Sequence, residues 1–424
     1  MGRLDIRPAP AHRSAMTATL AALAVLAVGY ILAYLLFDRL RIRFGYVGGA
    51  EYVLLGLFLG PAGSGVLSAS ALRDLTPIVS LALGWMGMLI GTGFRLPRLA
   101  LLEPSWVGIA FTEAGTTFTT ALGALLVALH YGLGMPLEAA ALPAAALASI
   151  ATVGVPAAVD ALARRGFGDH PFLPALRFTA RVDALVGVVG FGLALAILHV
   201  GAVAPGVRPP TATEWAVINL AVGIASGVLF HLFLGPRDDA GDAAHGDARL
   251  FVSLAGAIVI ASGAAYYLNL SPIYTNFVLG VVLANTGSAH ARAERLLAAT
   301  ERPLYLALLI LAGAAWAPEH AGLVWLAPAF VGIRLLARVV GGRAAGTASR
   351  DPALRAPRMW RALLAQGGLG VALAVNYTQV DGAPLKGAVL TAALASILLF
   401  EWVSAAESVR ALPAPAAPAT AAAP

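Results

Sequence analysis

The stretch RFTARVDALVG (177–187) sets Asp183, with Arg177 and Arg181 close by, at the head of an apolar run, VGVVGFGLALAILHV (186–200). An ionised side chain near the centre of a bilayer costs roughly 2.5–3.5 kcal/mol on insertion scales, so such a carboxylate calls for a compensating role. Thr179 lies four residues before Asp183 and shares its helix face, whereas Arg181 lies on the other side of the helix. We read Asp183 as a reversible binding group for a proton or a cation. The alternative is a structural ion pair with an arginine.

Other intramembrane ionisable residues are few. Glu113 lies in WVGIAFTEAGTTFTTALGALL (106–126), amid threonines. It reads as the structural partner of Arg181 or Arg361, with a second proton-binding group as the alternative. The segment HAGLVWLAPAFVGIRLLARVV (320–340) carries Arg334 and Arg338, again four apart. Arg338 is expected to snorkel to the membrane surface; Arg334 lies deeper and either faces the bundle or snorkels as well. Asp160 and Glu401 fall near the ends of apolar runs and read as interfacial. The eight histidines show no metal-ligand spacing and there is no cysteine. No P-loop, GxSxG or dinucleotide fingerprint occurs, so the chain reads as a non-enzyme without a cofactor.

The elements that hold these residues are apolar helices. Of 424 residues, 59% are hydrophobic and 12% charged, about half the charge of a soluble domain. Runs of about 20 apolar residues, each able to cross a ~30 Å hydrocarbon core, recur throughout. The expectation is an all-α polytopic membrane protein with about 13 spans: 15–37, 50–68, 75–95, 105–130, 137–163, 174–199, 212–235, 249–268, 272–286, 302–317, 320–341, 358–378 and 385–405. All basic residues except Lys386 are arginines, and most loop arginines follow odd-numbered spans. By the positive-inside rule the N-terminus is outside and the C-terminus cytoplasmic. The net charge of +6 then reflects orientation, and no nucleic-acid partner is expected. Residues 1–14 read as a short extracytoplasmic segment, 15–410 as the transmembrane domain and 411–424 as a disordered Ala/Pro tail.

Two spans carry interruptions. LASIATVGVPAAVDAL (147–162) contains Gly154 and Pro156, and Pro156 leaves the carbonyl of Thr152 without its helical N–H. RALLAQGGLGVALAVNY (361–377) places Gln366, Gly367 and Gly368 at mid-span. With 212–235 as a linker helix, the halves are about 15–199 and 249–405, and each interruption lies in the fifth span of its half. Paired interruptions at corresponding places point to two inverted repeats whose broken helices cross at a transport site. The plainer alternative is that Gly and Pro serve helix packing.

These residues resemble the monovalent cation/proton antiporter superfamily, the sodium/hydrogen exchanger domain, nearer its bacterial Kef-like and Nap-like branch. The resemblance covers about residues 15–405. It rests on AEYVLLGLFLGPAGSGVL (50–67), SLALGWMGMLIGTGFRL (80–96), SIATVGVPAAVDAL (149–162), TARVDALVG (179–187), SPIYTNFVLGVVLANTGSAH (271–290) and LLAQGGLGVAL (363–373). It implies a secondary transporter of the bacterial cytoplasmic membrane that exchanges Na⁺ or K⁺ for protons by competition at Asp183. It further implies cation coordination by Thr152 and Asp183, with Thr179 nearby, and support of the helix crossing by Arg334. A homodimer in which a core domain moves like an elevator is also implied. Val182 stands where the family commonly has Asn or Asp, and Leu369 where Kef-type proteins often have Glu. Neither Val182 nor Arg334 can carry a second proton, which makes the expected exchange electroneutral. The rival reading is an ion-coupled symporter or organic-anion carrier on a similar fold, with Arg334 or Arg181 holding the anion.

Overall fold

A computed structural model describes residues 27, 31, 35, 50–99, 103–154, 173–200, 208–234, 243–286, 290–317, 323–348 and 359–411. Most of the span expected at 15–37, both terminal segments, Pro156 and Asp160 lie outside the described residues. The described residues are overwhelmingly helical, with no strand among them.

The main helices are α1 (Ala50–Leu59), α2 (Ala69–Asp74), α3 (Thr76–Thr92), α4 (Pro104–Val127), α5 (Leu137–Thr152), α6 (Leu173–Ile197) and α7 (Ala212–Leu229). They continue with α8 (Ala243–Tyr267), α9 (Pro272–Thr286), α10 (His290–Ala314), α11 (Leu326–Ala348), α12 (Met359–Ala362), α13 (Gly367–Gln379) and α14 (Lys386–Ala411). Among the described residues five helices, α4, α6, α7, α8 and α14, are long and apolar enough to cross a membrane, and α10, bent near Pro303, makes a sixth. The chain is a multi-pass membrane protein.

Local chemistry sets the helix ends. Pro104 opens α4, where its missing N–H costs nothing. Thr211 and Glu214 close a capping box at the start of α7. Two boundaries differ from the hydropathy reading. The run 50–68 is helical only to Leu59, because GPAGSG (60–65) turns the chain back. Leu67 N donates to Leu59 O at 2.8 Å, and Gly65 takes φ +70°, a conformation glycine reaches without strain. Conversely, α10 starts well before residue 302. Its first half, HARAERLLAATE, buries Ala293 and Leu297 on one face and carries its charges elsewhere, so mean hydropathy hides it.

The helices form two groups. Helices α4, α5, α6 and α11–α14 pack on one another, and α1, α3, α8, α9 and α10 form the second group. Helix α7 lies against α6, α8 and α9, and Asn219 ties it to both sides by donating to Gly192 O of α6 and accepting from Thr275 of α9. With no hydrophobic effect to drive helices together in lipid, close approach through small residues takes over. A Cβ on Gly91 of α3 would sit 2.1 Å from Phe277 O of α9, and one on Gly56 of α1 would sit 2.0 Å from Ile310 O of α10. Only glycine fits at either place. Helix α13 bridges the groups, meeting α10 and α3 as well as α5 and α14.

Candidate functional site

Helix α5 stops at Thr152, and Val153 is extended (φ −61°, ψ 125°). The end of a helix leaves carbonyls without N–H partners, and they carry the negative end of the helix dipole. Here three carbonyls at this end receive side chains from the second half of the chain. Gln366 Nε2 donates to Ile150 O at 3.0 Å, Arg338 Nη2 donates to Thr152 O, and Arg334 Nη2 donates to Val153 O at 3.5 Å. Gln366 lies in the gap between α12 and α13, so that gap meets the end of α5 directly. Its Oε1 accepts from Ser396 of α14 at 2.9 Å, which fixes the amide. Gly367 follows with φ +52°, and a Cβ on Gly368 would lie 2.2 Å from the Tyr305 ring.

The charged centre lies beside this crossing. Arg338 Nη1 donates to Asp183 Oδ2 at 2.7 Å and to Glu113 Oε1 at 3.0 Å, and all three side chains are fully buried. Thr117 Oγ1 donates to the same Glu113 oxygen at 3.0 Å. Gly154 brings the end of α5 against the carboxylate, since a Cβ there would stand 2.6 Å from Asp183 Oδ2. Arg334, equally buried, has its guanidinium 4.5 Å from the centre of the Phe400 ring. Thr152 and Thr179 are fully buried, and each hydroxyl donates to its own helix, at Ala148 O and Ala175 O, 2.9 Å in both cases. Each hydroxyl oxygen keeps lone pairs for another partner.

Two carboxylates and two guanidiniums therefore share a buried enclosure. Within it Asp183 Oδ1 and Glu113 Oε2 have no hydrogen-bond partner among the described residues. A buried carboxylate oxygen without a partner is costly and marks a place where a proton or a hard cation can be taken up.

The structure corrects three readings. Arg338 does not snorkel; it is fully buried and is the direct partner of Asp183. Glu113 pairs with neither Arg181 nor Arg361. Arg181 is exposed and Arg361 bridges Glu407 at 3.1 Å. Glu401, read as interfacial, does not face outward but is 6% exposed. Arg334, read as the supporting charge, meets the carbonyl of Val153 just past the end of α5 and leaves Asp183 to Arg338. The signal for Arg338 was present, because residues four apart share a helix face and an inward Arg334 carries Arg338 inward with it.

No protein-family model and no curated protein matches the sequence. Solved structures do share its fold. The chain is similar to the structure of the sodium proton antiporter MjNhaP1 from Methanocaldococcus jannaschii at pH 8, with TM-score 0.65 and 15% identity over 93% of this chain and 98% of that one. It is also similar to the electron-microscopy map of MjNhaP1, with TM-score 0.58 and 16% identity over 92% of this chain and 94% of that one.

Proposed function

We propose that the protein is a secondary transporter exchanging a monovalent cation, Na⁺ or K⁺, for protons, with Asp183 as the shared binding group. The observation that carries this reading is the position of Asp183: a buried carboxylate with one unpartnered oxygen at the broken end of α5. The shared fold with a sodium proton antiporter supports it.

The chemistry follows from three competitors for one carboxylate. A proton neutralises Asp183. A dehydrated cation takes Asp183 with the oxygens of Thr152 and Thr179 as hard ligands. The guanidinium of Arg338, which cannot deprotonate, holds the carboxylate when neither is bound. Glu113 gives Arg338 a second partner, so the arginine can yield Asp183 without becoming an unpaired buried charge. Coupling needs only that a loaded Asp183, protonated or cation-bound, changes exposure between the two sides faster than an unloaded one. One exchanging carboxylate implies one proton per cation, and hence electroneutral exchange. Assembly as a homodimer, orientation with the C-terminus in the cytoplasm, and two inverted repeats about 15–199 and 249–405 complete the proposal.

The organic-anion reading loses support here, since Arg181 is exposed and Arg334 and Arg338 are directed at carbonyls and carboxylates. The test is cation-induced dequenching of a pH dye in proteoliposomes, comparing Na⁺, K⁺ and Li⁺. Dequenching by at least one cation, abolished in Asp183→Asn, is expected. Flux that survives D183N would overturn the assignment.

A further inference from the structure

We propose that Glu401 is a second proton-binding residue, set at the seam between the two helix groups, and that its contact with Tyr305 latches those groups together. This rests on the exchanger reading, in which one helix group moves against the other.

Glu401 lies on α14 and is buried, yet it has no cationic partner among the described residues. Its Oε1 accepts a long hydrogen bond, 3.3 Å, from the phenol of Tyr305 on α10, and its Oε2 has no partner. Helix α14 packs on α1, α5, α11, α12 and α13. Among the described residues of these helices and of α10, no cationic side chain bonds to Glu401. Glu51 of α1 interacts with Glu401 and has the same sign. Arg334 and Arg338 of α11 are turned to the end of α5, and Arg361 of α12 bridges Glu407. On α13 the phenol of Tyr377 donates to Pro384 O. Glu138 sits in the first turn of α5, at the end of that helix opposite the charged site. Buried carboxylates are either paired or neutral; with no cation bonded to it among the described residues, a proton is the species that satisfies Glu401.

The position makes this proton consequential. Tyr305 belongs to one helix group and Glu401 to the other, so their hydrogen bond crosses the surface along which the groups must slide. The Tyr305 ring also packs on Gly368, directly after Gln366, whose side chain caps α5. With its proton, the carboxyl sits neutral against apolar neighbours and the seam stays closed. Without it, a bare carboxylate faces Glu51, and hydration of the carboxylate draws the seam open. Proton release at Glu401 should therefore free the transport movement as pH rises.

The test compares rate–pH profiles of cation-driven proton flux in proteoliposomes for wild type, Glu401→Gln, Tyr305→Phe and Asp183→Asn. E401Q should retain flux and an unchanged KM for the cation but lose the rise in rate with pH, and Y305F should be faster than wild type at acid pH. An E401Q profile superimposable on wild type overturns the proposal. A second readout stands apart from transport: the infrared carbonyl band of a buried carboxylic acid, present in wild type at neutral pH and absent in E401Q. Its absence from wild type equally overturns the proposal. Surviving flux in D183N would instead defeat the exchanger reading, leaving the infrared result to judge Glu401 alone.

Discussion

Arg338 and Asp183 form a fully buried ion pair at 2.7 Å, and the same nitrogen of Arg338 reaches Glu113 at 3.0 Å. A single fixed cation is thus shared by two carboxylates on different helices. The pair also closes the end of α5, because the other terminal nitrogen of Arg338 donates to Thr152 O. Any ion that binds Asp183 competes with a guanidinium already in place.

From that competition follows a prediction for Glu113→Gln. Removing this carboxylate leaves Arg338 with Asp183 as its one acidic partner, which tightens the pair a cation must displace. The KM for the transported cation should rise on the order of tenfold, or about 1.4 kcal/mol, while the fold is retained through the Thr117 contact. Dequenching titrated with the preferred cation measures it, and an unchanged KM would show that Glu113 has no part in the competition.

Removing the arginine is a different experiment. Arg338→Gln leaves two buried carboxylates without their cation and Thr152 O without its donor. Breaking one partner out of a buried pair costs about 3–5 kcal/mol, so thermal unfolding in detergent should move sharply down. Arg338→Lys keeps the charge but loses the planar fork that serves Asp183, Glu113 and Thr152 O together. It should recover part of the stability and little of the exchange. Equal stability of R338Q and wild type would mean that the pair is not present in the membrane.

Much of this was legible in the chain. Asp183 stood out by its cost in an apolar run, and the end of α5 and the gap before α13 by the glycines near them. Hydropathy located most of the helices because lipid leaves the backbone few alternatives. It failed where polarity does not track depth. The charged first half of α10 was hidden because only one face of it is buried. Arg338 and Glu401 lie toward the ends of their apolar runs, and a window average cannot tell an end that faces lipid headgroups from one that faces another helix. Which arginine meets Asp183 is set by how α11 crosses α5, a tertiary fact without a local signature.

Gly154 offers a steric test. A methyl there would approach Asp183 Oδ2 to 2.6 Å, so Gly154→Ala must move either the carboxylate or the end of α5. Displacements near 1 Å at a reacting group cost on the order of a hundredfold in rate, and exchange should fall by about that factor in a protein that still folds. Gly115→Ala in α4 is the control, because a Cβ there meets nothing within 4 Å. It should leave transport intact and, within a helix, stabilise by up to about 1 kcal/mol. Similar rates in G154A and G115A would remove Asp183 from the transport step.

Thr152 separates a ligand from a packing residue. Its hydroxyl hydrogen is committed to Ala148 O at 2.9 Å, so what it can offer a cation is its oxygen lone pairs. Thr152→Ser keeps that oxygen and Thr152→Val replaces it with a methyl of similar size. If the oxygen ligates the cation, T152V should raise the KM on the order of tenfold while T152S stays near wild type. Proton binding, which needs the Asp183 carboxyl alone, should be unaffected in both. The lost hydrogen bond costs T152V only about 1 kcal/mol of stability, so folding does not confound the comparison. Were T152V and T152S to share one KM, the coordinating oxygens beside Asp183 would have to be sought at Thr179 and the unwound carbonyls instead.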